Sequence, residues 1–377
     1  MGLVATRDLV GSELVEKVIL GDVETSRAKT LIKELGSDKV GIVNVDATRP
    51  ENLVNAIRGS NVLINAIWYE YNLDVMRAAI EAKVNYVDLG GLFHMTRRQM
   101  ELNDPAQRAG VTAVLGGGES PGITNVMCAA SAEKLDSVEE IRIRVGAAEK
   151  PTSESEKLVF PFAISTIFDE YSETPVMYLN GRFQEVPPLS GEEEVEFPQP
   201  VGRNMCHYSI HSEIATLPLS FRRVKNVDFK LGVSEKLFKA VKPFVDAGMA
   251  DTTPIKVERN RISPRDFAIA YLTSRASDEE PSRYVALKTV VEGLKNGKKI
   301  RHICDVIGGP SEEFGVKNAT GLLTGVGVSI VAQFILEGRV EKKGVVAPEI
   351  CVPAEALFTE LNKRGIKVTA YELKLAD

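Results

Sequence analysis

The chain has 377 residues, 44% of them apolar and 26% charged, which is the balance of an ordinary globular protein large enough for two packed domains. Its formal net charge of −6 offers no overall attraction to nucleic acid or to an anionic membrane surface, so a small-molecule ligand is the expected partner. Four scattered cysteines form no Cys-x-x-Cys pair, which suggests neither a zinc site nor a disulfide framework and points to a reducing, cytoplasmic compartment; no metal is expected.

The chain opens with "MGLVATRDLVGSELVEKVILGD". Leu3, Val4, Leu9 and Val10 recur at helical spacing, and the strand "VEKVIL" follows, closing on Gly21 and Asp22. This is the second half of a βαβ unit, entered in mid-motif. From there helices and apolar strands alternate: "ETSRAKTLIKELG", "VGIVNVDA", "RPENLVNAIRG", "NVLINAI", "YNLDVMRAAIEAK", "NYVDLG", "TRRQMELNDPAQRAG" and "VTAVLGG". Such alternation predicts an α/β fold of the doubly wound, Rossmann type, with its first strand apparently missing.

After "ESPGITNVMCAASAEKLD" the texture changes. "VEEIRIRVGAA" reads as a strand whose Arg142 and Arg144 are expected to face solvent. Asn180-Gly181 in "VMYLNGRFQEV" is a strong hairpin signal, and a second Asn-Gly follows in "VVEGLKNGKKIRH". "SGEEEVEFPQP" reads as a solvated loop. The pattern predicts a dinucleotide-binding domain over residues 1–131, an inserted mixed α+β substrate and dimerisation domain over 132–315, and C-terminal helices over 316–377 that return to the first domain. The most apolar run, "TGLLTGVGVSIVAQFILEG", is broken by glycine, serine and glutamine and is expected to be a buried helix rather than a membrane span.

The polar residues at the strand ends carry the candidate chemistry. Asp22 ends the second strand of a dinucleotide fold, where a carboxylate binds the adenine ribose and disfavours a 2′-phosphate, which selects NAD; a turn or helix-cap role is the plain alternative. Asp46 and Ala47 end the next strand, beside an adenine, and Asn65 and Ala66 the one after. Asp88 and Gly90 end the strand "NYVDLG". "GGGESPGITN" brings Glu119, Thr124 and Asn125 to a helix entry that a ligand can approach closely. Tyr69, Glu119 and Arg222 are the candidate substrate contacts, an arginine being suited to a carboxylate. His211, in "HYSIHSEIATLPLSFR", is a candidate acid or base, as is His94, although histidines in such loops are more often structural. No G-x-S-x-G elbow supports a nucleophilic serine.

Several stretches, in order across nearly the whole chain, resemble the saccharopine dehydrogenase-like family, most closely its lysine 6-dehydrogenases. They are "GLVATRDL", "VDLGG", "AQRAGVTAVLGGGESPGITNVM", "YLNGRFQEVPPLSG", "ISPRD" and "SIVAQFILEGRVEKKGVVAPE"; "HSEIATLP" is similar to broader saccharopine reductase-like members. The family's first strand ends in a loop of G-x-G-x-M-G type, whose last two residues match Met1-Gly2. The resemblance therefore implies that Gly2 belongs to the cofactor loop, and that Met1 is an internal methionine with about a dozen natural residues upstream. It further implies an NAD-dependent oxidative deamination of the ε-amine of L-lysine, with an amino acid as substrate and a homodimer as the working form. Asp88 and Glu119 would recognise or deprotonate the amine, Arg222 would hold the carboxylate, and Thr124 and Asn125 would border the nicotinamide. The alternatives are a saccharopine-type reductase that joins an amino acid to an aldehyde, and a catalytically silent binding protein on the same fold.

Overall fold

The computed structural model describes residues 1–150, 158–232, 234–277 and 281–375. The N-terminal part runs α1 (Gly2–Gly11), β1 (Val18–Asp22), α2 (Ser26–Leu35), β2 (Val40–Asn44), α3 (Pro50–Ile57), β3 (Val62–Asn65) and a short turn at Tyr69–Tyr71. It continues with α4 (Asn72–Ala82), β4 (Asn85–Asp88), α5 (Leu92–Met100), α6 (Asn103–Ala109), β5 (Thr112–Val114) and α7 (Ile123–Ala132). Every strand pairing here is parallel, as the alternation of elements requires, because parallel neighbours need a crossover helix. The strands fall into two pieces, β1–β2 and β3–β4–β5, and β1 and β3 share no ladder. Helix ends follow local chemistry: Gly36 and Gly110 adopt the left-handed conformation that closes α2 and α6.

The middle part contains β6 (Ser137–Lys150), α8 (Ile164–Ser172), β7 (Val176–Leu179), β8 (Arg182–Glu185), β9 (Glu193–Glu196), β10 (Arg203–Tyr208), α9 (Glu213–Ser220) and β11 (Asn226–Gly232). Then come α10 (Glu235–Asp246), β12 (Ile255–Val257), β13 (Asn260–Ile262), α11 (Pro264–Ser274), β14 (Ser282–Lys295) and β15 (Lys298–Gly308). Both Asn-Gly pairs turn hairpins, Asn180-Gly181 between β7 and β8 and Asn296-Gly297 between β14 and β15, each residue at positive φ. The chain ends with α12 (Ala319–Leu336), β16 (Gly344–Val346), α13 (Pro348–Cys351), α14 (Ala354–Lys363) and β17 (Val368–Lys374). A mixed sheet runs β17–β15–β14–β6–β11–β10–β9, with the β7–β8 hairpin attached at β11.

Two expectations fail here. The acidic stretch after Ser190 is not a loop: β9 pairs antiparallel with β10. Arg144 does not face solvent. It is 3% exposed and pairs with Asp228 and Glu193, carboxylates that β11 and β9 of the same sheet bring to it.

The C-terminal segment ties the halves together. β16 extends the parallel sheet beside β5, and α12 packs on α1, β3 and β4 on one side and on β14 and β15 on the other. By length and composition α12 could cross a membrane, but it is 89% buried inside the protein, as the expected buried helix. One hydrophobic cluster therefore spans the β3–β4–β5 piece and the mixed sheet, including Val4, Val87, Met127, Ile141, Phe229, Leu287, Leu323 and Phe334, with smaller clusters beside it.

Candidate active site

The cofactor-side residues gather along one edge of the parallel strands. No side chain caps α1, so its first-turn N–H groups are available to an anion such as a pyrophosphate. A Cβ on Gly2 would sit 3.7 Å from the Ala66 side chain, which places the start of α1 against the end of β3. A cavity of about 590 Å³ opens beside the ends of β1 and β2, lined by Val23, Asn44, Asp46, Arg49 and Asn52. Ala47 follows Asp46 there, and exposed Asp22 accepts a bond from Glu24 N at 2.9 Å, a turn that leaves its second oxygen clear. These residues fit an adenosine and its phosphates.

Asp88 plays another part. It is 0% exposed and accepts from Gly90 N (2.9 Å), Gly116 N (2.7 Å), the Tyr86 hydroxyl (3.0 Å) and Gln99 (2.7 Å). With both oxygens engaged it clamps the loops after β4 and β5 together instead of meeting an amine. Asn65 is likewise buried and donates to Asn72 and Tyr86.

At the mouth of the glycine-rich loop lies the reactive cluster. His211 precedes α9, stacks on Phe229 with ring centroids 3.8 Å apart, and is hydrogen-bonded through Nδ1 to Glu213. Glu213 is completely buried and also accepts from the hydroxyls of Ser120 (2.5 Å) and Thr124 (2.8 Å), so the loop "GGGESPG" and α7 fix the carboxylate that fixes the imidazole. Burial disfavours charge on both groups, yet their mutual attraction prevails: the histidine is held above its ordinary range and the carboxylate below. Among the described residues no hydrogen bond reaches Nε2 of His211. Asn125 accepts from Gly122 N (3.0 Å) and donates to Glu349 (2.8 Å), behind Thr124.

Around this pair the protein buries polar atoms that have no hydrogen-bond partner among the described residues: Glu119 Oε2, Glu170 Oε2, the Tyr171 hydroxyl and Arg283 Nε. Their electrostatic influence on one another links Glu119 to Arg283, Arg283 to Tyr171, Tyr171 to Glu170 and Glu170 to His211. Burial pushes Glu119 up to about 8 against the pull of Arg283 and Thr320. Burial likewise pushes Glu170 up to about 8 against the pull of His211. Arg283 forms an ion pair with Glu149 at 2.5 Å, leaving its Nε unused. Orphaned buried groups are costly, and a concentration of them at one place marks where a polar ligand supplies the missing bonds.

The structure brings together Glu119, Thr124 and His211, as placed from sequence, but not Arg222 or Tyr69. Arg222 is exposed beyond the far end of α9, where it lines a separate cavity of about 370 Å³ with Arg223, Glu133 and Ser220. Tyr69 is engaged by Asp169 at 2.8 Å. His94 is exposed beside Phe93. Arg283, Glu170 and Tyr171 escape a reading by motif. For Arg283 a signal exists: it stands in phase with the inward-facing Val285, Leu287 and Val291, a charge at a core position of a strand.

The chain is similar to known proteins over nearly its whole length. Residues 1–114 match the saccharopine dehydrogenase NADP binding domain and residues 118–366 the saccharopine dehydrogenase C-terminal domain. A carboxyaminopropylagmatine dehydrogenase of Synechocystis sp. is 23% identical, over 97% of this chain and 94% of that one. A carboxynorspermidine synthase of Vibrio cholerae is 24% identical, over 75% of this chain and 70% of that one. Among solved structures, apo saccharopine dehydrogenase (L-Glu forming) from Saccharomyces cerevisiae superposes with a TM-score of 0.74 at 17% identity, covering 99% of this chain and 98% of that one. A homospermidine synthase from Legionella pneumophila in complex with NAD gives 0.70 at 11% identity, over 98% and 89%. The chain belongs to the saccharopine dehydrogenase family and is an NAD(P)-dependent oxidoreductase acting on amine groups.

Proposed function

We propose that the chain oxidises or forms the C–N bond of an amine that also carries a carboxylate, with L-lysine, deaminated at its ε-amine, as the first substrate to test and NAD as cofactor. The observation that carries this reading is the cluster of unpartnered buried groups around His211. It offers two carboxyl groups, Glu119 and Glu170, which a bound ammonium group would draw toward their charged form, and one arginine, Arg283, for a carboxylate. When bound, the nicotinamide supplies hydride transfer at the carbon of the C–N bond. Before that transfer His211 takes the ammonium proton at Nε2, leaving a neutral amine whose lone pair assists oxidation, while Glu213 holds the ring and its positive charge; water then adds to the resulting imine and ammonia leaves. The buried walls exclude bulk water and strengthen each of these contacts.

Exposed Asp22 at the nucleotide edge supports NAD, since a carboxylate there repels a 2′-phosphate; Asp46 is half-buried and paired with Arg49 at 3.6 Å. The open edge of β17 and four unpaired thiols support a homodimer in a reducing cytoplasm as part of the same proposal.

A second reading keeps the site and changes the substrate to a secondary amine built from an amine and an aldehyde, such as a carboxyaminopropyl amine. It is favoured by the relative that matches over nearly all of both chains. The test is to assay purified protein for reduction of NAD and NADP with L-lysine, and for oxidation of NADH and NADPH with a diamine or agmatine plus an amino-acid semialdehyde. Lysine-dependent reduction establishes the first reading, and turnover only in the condensing direction establishes the second. Absence of both sinks the assignment.

A further inference from the structure

Tyr69 stands on the nucleotide-binding side, in the turn that follows the Asn65–Ala66 edge, yet its hydroxyl donates to Asp169 on α8 at 2.8 Å. Asp169 is 1% exposed, and its other oxygen meets Arg265 of α11 at 2.6 Å. Arg265 is anchored in turn by a bond to Ser165 O at 2.9 Å. The next two residues after Asp169 are Glu170 and Tyr171, which enter the reactive cluster. Successive residues on a helix point about 100° apart, so Asp169, Glu170 and Tyr171 fan around α8, and all three are buried. A helix enclosed on so many sides takes its rotation from its tightest contacts, and here these are made by Asp169.

We propose that Tyr69, Asp169 and Arg265 form a positioning unit, through which the nucleotide-binding half sets the place of Glu170 and Tyr171 beside His211 and Arg283. Tyr69 is then a positioning residue and not a substrate contact. The inference rests on the reading of the cluster as the catalytic pocket. The charged surroundings are Glu70, on the same turn as Tyr69, and Glu173, just past the end of α8, both raised above their usual range by burial first and by the neighbouring Asp169 second. Around Glu170 they are His211 and Asp169 itself.

The chain's single tryptophan, Trp68, precedes Tyr69, with ring centroids 6.0 Å apart, and reports on this contact without turnover. Four proteins are compared: wild type, Tyr69→Phe, which removes only the hydroxyl, Asp169→Asn, and Glu170→Gln, which identifies the ionisation of Glu170. Tyr69→Phe is expected to lower kcat about tenfold, the equivalent of ~1.4 kcal/mol, with a smaller change in KM, and to shift Trp68 emission to longer wavelength as the junction loosens. Asp169→Asn is expected to move the ionisation that Glu170→Gln abolishes to lower pH, because a negative neighbour is gone. Tyr69→Phe changes no charge, so a shift of that ionisation in this variant reports the position of Glu170, which a packing role alone would leave where it is. If wild type turns over and Tyr69→Phe stays within about twofold with unchanged emission, the inference is overturned whatever Asp169→Asn does. If wild type shows no amine turnover, the functional reading fails, and the emission of Tyr69→Phe still decides whether the tie holds the two halves.

Discussion

His211 shows what one residue can and cannot reveal from sequence. Its neighbours Ser212 and Glu213 were visible beside it, but not that Thr124 and Ser120, on a distant loop, orient the Glu213 carboxylate behind the ring. Replacing His211 by Gln is expected to lower kcat/KM by roughly 10²–10⁴ and to remove one limb of its pH profile. Replacing Glu213 by Gln removes the charge that holds the imidazolium, so the same limb should move to lower pH, which a pH series on both variants would measure. Glu119 and Glu170 bear on stability in a definite direction. Each is held near 8 by burial against 4.5 for the ordinary group, so between these values the folded state binds more protons than the unfolded one. Stability should therefore be greatest below about pH 4.5 as far as these groups contribute, and fall as pH rises toward 8, by an amount on the order of a few kcal/mol for each. Glu119→Gln should flatten that slope in denaturant titrations between pH 5 and 9 and leave the protein more stable than wild type at the alkaline end; an unchanged slope would show that Glu119 ionises freely.

Among the elements, the helices with clear periodicity and the two Asn-Gly hairpins were legible because their signals are local. Strand β9 was not, because its Glu194 and Glu196 are stabilised by Arg203 across the ladder and not by anything adjacent in sequence. Helix α12 was legible as buried, though its glycines acquire a reason only from what lies against them. A Cβ on Gly327 would lie 2.9 Å from the carbonyl oxygens of Gly117 and Gly118, backbone atoms that cannot swing aside. Gly327→Ala should consequently push the glycine-rich loop and its Glu119 outward, costing about 1–3 kcal/mol in stability and reducing turnover together with it. Gly338→Ala is the contrast. Nothing lies within 4 Å of a Cβ there, but Gly338 sits at φ +74, so only the backbone strain of that residue should register. Thermal melts and steady-state assays of the two variants would separate contact from strain: activity should fall selectively in Gly327→Ala.

For the molecule as a whole, the order of elements is enough to call up a doubly wound α/β fold with an inserted sheet, since alternation and crossover rules act on sequence order. The pocket was only half legible. Glu119 and His211 sit on recognisable loops, whereas Glu170, Tyr171 and Arg283 reach it from a helix and a strand whose local patterns speak of packing alone. What joins the parts is the C-terminal segment. Helix α12 contributes Leu323, Val326, Val328 and Phe334 to the shared core, and its residue Thr320 stands beside Glu119. Strand β16 supplies the outer ladder of β5. A chain ended at residue 315 would lose both, exposing the inner faces of α1, β3 and β4 to water along with the facing side of β14 and β15. Two independently stable domains would survive that cut, each with its own transition. A cluster shared across the β3–β4–β5 piece and the mixed sheet would not, because both sides of it rest on α12 and apolar area returned to water costs about 25 cal/mol per Å². The truncated chain is therefore expected to lose cooperative unfolding by calorimetry and near-ultraviolet circular dichroism while keeping part of its helical signal. Recovery of a sharp transition on adding residues 316–377 as a separate polypeptide would show that the segment acts by packing. Two separate, native-like transitions in the truncated chain would show that the halves stand alone and that α12 only bridges them.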